Sequence, residues 1–187
     1  MEAIDAILKR RSAKTLVEPA PDPGALRLLL ECASRAPDHG RLRPWRFIVI
    51  RGAARECLGE LLAEQLRRQQ PAASAEALQR ERQKPLRAPL IIAVAAVRNA
   101  AARIPLIEQI LAAGAAAQNM MLAAPALGFG AMWKTGDAAY DDTVKVALGL
   151  EAGDAIVGFI YLGTAPAEAA PPAARAQWED RVSYWRE

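Results

Sequence analysis

A cluster of cationic and hydroxyl side chains stands near the start of the chain, at residues 10–15, with the sequence RRSAKT. Guanidinium groups bind phosphate through paired hydrogen bonds, and Ser and Lys side chains can complete such a site. The cluster also ends a segment, residues 2–11, whose apolar spacing predicts an amphipathic helix, and cations at a helix C-terminus complement the helix dipole. The residues alone leave both roles open, a phosphate site and a stabilised helix end.

A second polar group follows a long uncharged stretch. No charged residue occurs between Glu108 and Lys134, and Ala, Leu, Ile and Met dominate the interval. This composition predicts a core helix that is apolar on nearly every side and that Pro125 should end or kink. Residues 133–136, with the sequence WKTG, then place an aromatic ring, a cation, a hydroxyl group and a glycine in a row. A short loop that is anchored by a buried helix is a good place to bind a ligand.

The single histidine of the chain, His39, follows a second predicted helix. A lone histidine after a helix more often makes a structural hydrogen bond than acts as an acid or a base, and we favour that role. With one histidine and two cysteines, Cys32 and Cys57, no metal site is predicted. Both cysteines lie among apolar residues of predicted helices, and we therefore expect buried thiols.

The composition is that of an ordinary globular protein. The 187 residues suit one domain, residues 1–187, and 52% of them are hydrophobic and 24% charged. The net charge is only +3, and most cations alternate with acids, unlike the basic stripes of nucleic-acid binders. Acids near the N-terminus, where a signal peptide carries cations, favour a cytoplasmic location. Gln, Asn, Pro and Gly within the apolar stretch argue against a membrane helix.

Strands and helices alternate along the chain. β-Branched, aromatic and continuous apolar runs predict strands, and a short strand is predicted after the core helix; the four segments are residues 45–51, 90–97, 131–133 and 156–162. Residues 69–84 are polar and predict a helical excursion over the surface, for which a lid is one role. The pattern predicts an α+β, three-layer domain with a mixed central β-sheet flanked by helices. Residues 181–185, RVSYW, have strand character without an obvious partner, which favours pairing with another subunit.

Three motifs in this order resemble the FMN-dependent nitroreductase family, in particular its small single-domain branch. The first is RRSAK at residues 10–14, and the second is RAPDHGRLRPWRFIVI at residues 35–50. The third is GFGAMWKTG at residues 128–136, followed by VGFIYLGT at residues 157–164. The likeness covers nearly the whole chain apart from the polar excursion. It implies a nitroreductase-like fold and a homodimer that exchanges its C-terminal strands.

The resemblance also implies a set of ligand-binding residues. The residues that match the family's FMN contacts within one chain are Arg10, Arg11, Ser12, Lys14, Trp133, Lys134, Thr135 and Gly136. Arg35 and His39 match residues that approach the same FMN from the partner chain. The resemblance also assigns a nicotinamide nucleotide to the segment formed by Ala123, Ala124, Pro125, Ala126, Leu127 and Gly128.

The activity implied by the resemblance is that of an NAD(P)H oxidoreductase. Hydride would pass from NADH or NADPH to FMN N5 and then to a nitroaromatic, a quinone or a similar small-molecule acceptor, with ping-pong kinetics and without a catalytic side chain. Two alternatives remain open: a flavin-binding protein without efficient turnover, and a basic binding module that uses Arg41, Arg43 and Arg46 on an anionic partner. We expect neither a nucleic acid nor a membrane as partner.

Overall fold

The computed structural model describes residues 2–166 and 177–186. Its six α-helices are α1 (Ala3–Lys9), α2 (Pro23–Ala33), α3 (Ala54–Gln69), α4 (Ala75–Gln83), α5 (Leu106–Ala126) and α6 (Asp142–Ala147). Its four strands are β1 (Trp45–Arg51), β2 (Leu90–Ala96), β3 (Gly130–Lys134) and β4 (Ala155–Gly163). Side-chain caps fix three of the helix starts, because the oxygens of Asp22, Ser74 and Asp141 accept backbone hydrogen bonds from the first turn.

The four strands form one sheet in the order β1-β2-β4-β3. All three neighbouring pairs are antiparallel, with Ala93 opposite Ile48 on one side and Phe159 on the other. The α+β class is confirmed. The described sheet is antiparallel, whereas we had expected a mixed sheet. Alternation of strands and helices does not fix strand direction, because β4 inserts between β2 and β3 and returns the chain antiparallel to both.

Helices cover both faces of the sheet, and the three-layer prediction is confirmed. On one face, α2 and α5 pack against alternate strand residues such as Ile92, Ile160 and Leu162, and we call this the closed face. On the other face, α3 packs over the intervening residues such as Ile91, Phe159 and Tyr161, and we call this the open face. Residues 12–17 run along the outer edge of β3, where Ala13 N donates to Ala131 O at 3.0 Å.

We had expected Pro125 to end or kink the core helix, but α5 continues past it and ends at Ala126. The proline lies in the last turn, where the loss of one backbone donor is small. Gly128 then adopts a positive φ of 86°, and two backbone hydrogen bonds close the end, from Gly128 N to Pro125 O and from Phe129 N to Ala124 O. This is a Schellman cap, and it turns the chain directly into β3. None of the helices in the described ranges is long and apolar enough to cross a membrane.

The polar excursion is a docked helix. Arg82 Nε lies 2.9 Å from both carboxylate oxygens of Glu60, and a Cβ at Gly59 would come within 2.5 Å of Arg82 O. The backbones of α3 and α4 therefore approach closely. This contact fixes the position of the 3-10 turn Lys84–Arg87, which leads from α4 into β2.

The C-terminal segment forms no strand within the described residues of the single chain. Residues 177–186 contain a 3-10 turn at Glu179–Arg181, and the side chains of Trp178, Tyr184 and Trp185 are exposed. Strand exchange between subunits therefore stays a prediction.

Candidate functional site

A cavity of about 260 Å³ opens on the open face, at the end of β3. It lies between α3, the turn Lys84–Arg87 and the loop that follows β3. Its apolar wall includes Leu58, Leu62 and Phe159. Its polar lining consists of Gln65, Glu81, Lys84, Arg87, Lys134 and Asp137, together with Tyr161 and the loop residues Thr135 and Gly136. The KTG part of the third motif therefore borders the cavity.

Side chains alternate between the two faces along a strand, so the aromatic and the cationic side chain of that motif point to opposite sides. Lys134 points to the cavity, and its Nζ lies 5.8 Å from the ring centroid of Tyr161. Trp133 points to the closed face, where its Nε1 donates to Val157 O at 3.3 Å and covers Gly158. The sequence had grouped Trp133 with Lys134, but adjacent strand residues face opposite sides of a sheet. Trp133 is thus a packing residue in the single chain.

Gln65 is a buried amide in the cavity wall that sequence reasoning missed. It is only 4% exposed, and its Nε2 has no hydrogen-bond partner among the described residues. An unsatisfied buried donor costs about 1–3 kcal/mol of folding free energy. The wall of the cavity therefore contains a buried amide whose donor has no partner in the described part of the chain.

Positive charge concentrates around the same cavity. The pKa of Lys134 is lowered, first by burial and then by the nearby charges of Arg87 and Lys84. Burial also raises the pKa of Tyr161 to about 12, so its hydroxyl group stays protonated at neutral pH. Lys84 is paired with Glu81. The cavity therefore presents hydrogen-bond donors that are held by the fold before any ligand binds.

The first motif lies along the same strand as the cavity. Ala13 is buried against the open-face core, and the backbone bond from Ala13 to Ala131 joins the motif to β3. Arg10 is half-buried, whereas Arg11, Ser12 and Lys14 are exposed. The structure thus brings residues 10–14 to the strand that carries Lys134.

Arg35 and His39 do not join this cavity within one chain. His39 Nδ1 lies 2.6 Å from Glu108 Oε2, which links the 3-10 turn His39–Arg41 to the first turn of α5. This contact confirms a hydrogen-bonding role for the histidine. Arg35 lines a shallow hollow beside β1, together with Arg43 and Arg51. Their approach to a cofactor in a partner chain stays a prediction.

Residues 123–128 occupy the Schellman cap of α5. Ala124 is completely buried in the closed-face core, and Leu127 packs against that core. The segment leads into the start of β3, whereas Lys134 stands at its end. The structure thus places it on the other face of the sheet from the cavity, and its assignment to a nicotinamide nucleotide stays a prediction.

The cysteines differ from expectation. Cys32 and Cys57 are both free and exposed, because each lies on the outer side of its helix. Among the residues that the structure describes, no group of three or more His, Cys, Asp or Glu side chains is placed to hold a metal ion.

The residues that sequence reasoning missed are Gln65, Lys84, Arg87 and Tyr161. Lys84 ends the segment 69–84 that we interpreted as an excursion over the surface, and Arg87 lies just beyond it. Both belong to the turn Lys84–Arg87, which directly precedes the buried strand β2. The available signal for Tyr161 was its phenolic hydroxyl group within the otherwise apolar sequence of β4. Gln65 had no such signal, because its burial depends on the packing of α3 against the sheet.

Known proteins resemble this chain over most of its length. Residues 7–164 match the model of the nitroreductase family. The chain is 40% identical over 168 residues to an Escherichia coli K12 protein named "Putative NAD(P)H nitroreductase YdjA", covering 88% of each chain.

Two solved structures extend the comparison to the fold. A nitroreductase-like family protein from Bacillus cereus superposes with a TM-score of 0.85 at 26% identity, covering 100% of this chain and 97% of the other. A structure from Desulfovibrio desulfuricans, solved in complex with FMN, superposes with a TM-score of 0.74 at 29% identity, covering 97% and 95%. This chain belongs to the nitroreductase family.

Proposed function

We propose that the protein is an FMN-dependent NAD(P)H oxidoreductase that reduces a nitroaromatic, a quinone or a similar electron-poor acceptor. The observation that carries the proposal is the cavity at the end of β3, which Gln65, Arg87 and Lys134 line. The complex of the Desulfovibrio desulfuricans relative with FMN, and the NAD(P)H in the name of YdjA, support the choice of cofactor and reductant.

The cavity passes a chemical test for FMN. The flavin ring system presents carbonyl oxygens and ring nitrogens as acceptors, and the cavity supplies the complementary donors. The side chains of Arg87 and Lys134 are the charged donors among them, and Gln65 lines the same wall. The apolar side chains of Phe159 and Leu62 provide a surface against which the ring would pack. Backbone groups of Thr135 and Gly136 border the same space.

The first motif supplies the natural position for the FMN phosphate. Arg10, Arg11 and Lys14 bring three cations, and Ser12 brings a hydroxyl group. Charge-assisted hydrogen bonds from such groups are about twice as strong as neutral ones. The backbone bond from Ala13 to Ala131 places this motif beside β3, the strand whose end borders the cavity.

When bound, FMN supplies hydride transfer, from NADH or NADPH to an electron-poor acceptor. The chain would position the cofactor and tune its electronic properties. Lys134 and Arg87 provide positive charge, which favours the reduced and more negative state of the cofactor. Leu58, Leu62 and Phe159 exclude water from one side. No side chain is required as a base, and ping-pong kinetics are expected because one open side must admit donor and acceptor in turn.

We also propose that the active form is a homodimer. Apolar side chains are strongly exposed on two helices in the single chain, with exposures of 67% at Ile4, 69% at Leu8 and 64% at Leu111. A surface of this kind is typical of a protein interface. A partner chain would also bring its Arg35 and His39, and its C-terminal segment would add to the free edge of β1. The single domain over residues 1–187 and the cytoplasmic location stay predictions.

Deletion of residues 181–187 tests the exchange. The truncated protein is expected to dimerise more weakly in sedimentation velocity runs. An unchanged dissociation constant of the dimer would contradict the exchange.

The visible absorption spectrum tests the function. The purified protein is expected to be yellow, or to become so with added FMN, and to bleach when NADPH or NADH is added without oxygen. Bleaching followed by recovery with a nitroaromatic or a quinone is the predicted result. A yellow protein that neither nucleotide bleaches would be a flavin-binding protein without turnover. A colourless protein that takes up no FMN would contradict the proposal and favour the basic binding module.

A further inference from the structure

The single histidine of the chain is held in place by two contacts with the start of α5. His39 Nδ1 lies 2.6 Å from Glu108 Oε2, and Glu108 belongs to the first turn of that helix, where the helix dipole favours a carboxylate. The next residue, Gly40, has a φ of 70°, and a Cβ at this position would collide with Ile104 Cδ1. The backbone beside the histidine is therefore fixed against the segment that begins α5.

The contact with Glu108 determines which ring nitrogen remains available. A carboxylate only accepts hydrogen bonds, so Nδ1 of His39 carries a hydrogen and donates to Glu108 Oε2. Nε2 makes no hydrogen bond with the described residues, and 66% of the His39 side chain is exposed. Asp38, the acid in the same turn, accepts from Arg43 N at 2.5 Å. Glu108 thus orients the ring and stabilises its protonated form, and Nε2 is open to solvent or to a ligand.

The pair lies in the apolar surface that we propose as the dimer interface. Its neighbours on α5, Ile107 and Leu111, have exposures of 58% and 64%, and α1 with its exposed Leu8 packs beside this helix. Helix α1 leads directly into residues 10–14, the proposed position of the FMN phosphate. In a twofold interface the same surface of both chains meets. The partner's His39 is therefore brought toward the FMN-binding residues of this chain.

Reduction of the proposed acceptors consumes a proton that NAD(P)H does not supply. For a quinone the balance is quinone + NAD(P)H + H⁺ → hydroquinone + NAD(P)⁺. Both electrons and one hydrogen come from NAD(P)H as hydride, and the second hydrogen of the hydroquinone arrives as a proton. An acid placed beside the acceptor raises the rate of such a step by about 10²–10⁴. The exposed Nε2 of a histidine that a carboxylate orients is suited to this task.

We propose that His39 of one chain protonates the acceptor that is reduced in the site of the partner chain, and that Glu108 positions this histidine. The inference rests on the proposed function and deepens it, because it names the source of the proton. The N–H bond at Nε2 of the protonated ring breaks as the O–H bond of the hydroquinone forms, and the neutral ring then regains a proton from water. Hydride transfer itself still needs no side-chain base.

The first measurement needs no turnover. Because the chain has one histidine, the ¹⁵N spectrum of the imidazole reports on His39 alone. In the neutral ring we expect the hydrogen on Nδ1 in the unmodified protein and mostly on Nε2 in Glu108→Ala, which lacks the acceptor. The matched control is Glu76→Ala, since Glu76 pairs with Arg80 on α4 and should not affect the spectrum. An Nε2 tautomer in the unmodified protein would overturn the role of Glu108.

The second measurement follows oxidation of the NADPH-reduced protein by 1,4-benzoquinone and by ferricyanide in a stopped-flow instrument. The quinone must gain protons to form its product, whereas ferricyanide accepts single electrons and no proton. We expect the ratio of the quinone rate constant to the ferricyanide rate constant to fall at least about tenfold in His39→Gln, because the acid is lost. Glu108→Ala should lower the ratio less, since the ring is retained but no longer oriented. Glu76→Ala should leave the ratio unchanged.

A lower ratio in both variants of the pair, together with the Nδ1 tautomer, supports the proposal. A ratio in His39→Gln that stays within about twofold of the unmodified value overturns it. Failure of the proposed function is a different result, because it is seen before any acceptor is added. It appears as a protein that takes up no FMN or that NAD(P)H does not bleach.

Discussion

The two faces of the sheet are built from the same strands but are completed differently. On the closed face, α5 brings Ala113, Ala116 and Ala117 into direct contact with strand residues, and all three are fully buried. On the open face, α3 covers the sheet with larger and more polar residues and leaves the cavity that Gln65 lines. Small residues allow close packing, whereas long polar ones hold a space open.

Strand β3 shows what this difference means for function. Trp133 completes the closed face, where its indole donates to Val157 O, and Lys134, the next residue, faces the cavity. One strand thus contributes to stability on one side and to the site on the other. Both faces carry a buried core, and the open face also contains the amide of Gln65, whose Nε2 has no partner among the described residues.

The largest expected difference between the faces comes from matched leucines. Leu162 is completely buried on the closed face, and Leu62 borders the cavity. Leu162→Ala should reduce the free energy of unfolding by about 4 kcal/mol, and Leu62→Ala by about 2 kcal/mol, because a side chain beside a cavity loses fewer contacts. Urea denaturation of both variants measures the difference. Equal losses would contradict the distinction between the faces.

Two glycines sharpen the description of the closed face. A Cβ at Gly158 would lie 2.2 Å from Trp133 Nε1, whereas one at Gly114 would meet its nearest neighbour, Val157 Cγ1, at 4.0 Å. Gly158→Ala should therefore destabilise the protein by about 1–3 kcal/mol through overpacking. Gly114→Ala should stabilise α5 by about 0.5–1 kcal/mol, since alanine is the better helix former. Thermal unfolding measures whether each variant is more or less stable than the unmodified protein. Destabilisation by Gly114→Ala would show that the closed face cannot accommodate an added methyl group.

Two buried glutamines allow the faces to be compared by the hydrogen bonds that each amide makes. Gln109 accepts from Asn99 N at 2.9 Å and donates to Ile104 O at 3.0 Å, whereas Gln65 Nε2 has no partner in the described part of the chain. Gln65→Leu should stabilise the ligand-free protein by about 1 kcal/mol, because it removes an unsatisfied donor. Gln109→Leu should destabilise it. Melting temperatures without FMN decide, and a loss of stability in Gln65→Leu would mean that the amide is satisfied.

The smallest expected effect concerns the charge of Lys134. Its pKa is lower in the folded protein than the ordinary lysine value, so the unfolded chain binds more protons between the two values. The stability of the unmodified protein should therefore rise with pH in that window relative to Lys134→Met. Urea denaturation midpoints of both proteins, measured as the pH rises towards the ordinary lysine pKa of about 10.5, report this rise in stability. A constant difference between the two proteins would indicate a lysine without electrostatic strain.

The sequence predicted the strands well, because their signals are local. The predicted strand at residues 45–51 agrees with β1, Trp45–Arg51, and the apolar run before Gly163 agrees with β4. Strand direction was not predictable, since it depends on which strands become neighbours. The site was predicted in part. Lys134 was identified from its motif, but the buried donor of Gln65 arises only when α3 docks on the sheet.

The most direct test of the cavity as the cofactor site is an equilibrium titration with FMN. The variants are Lys134→Met, which removes a cation from the cavity, and Arg80→Met, which removes one from the outer surface of α4. We expect the dissociation constant for FMN to rise at least about tenfold in Lys134→Met and to stay unchanged in Arg80→Met. If Lys134→Met binds FMN as tightly as the unmodified protein, the cavity at the end of β3 is not where the cofactor binds.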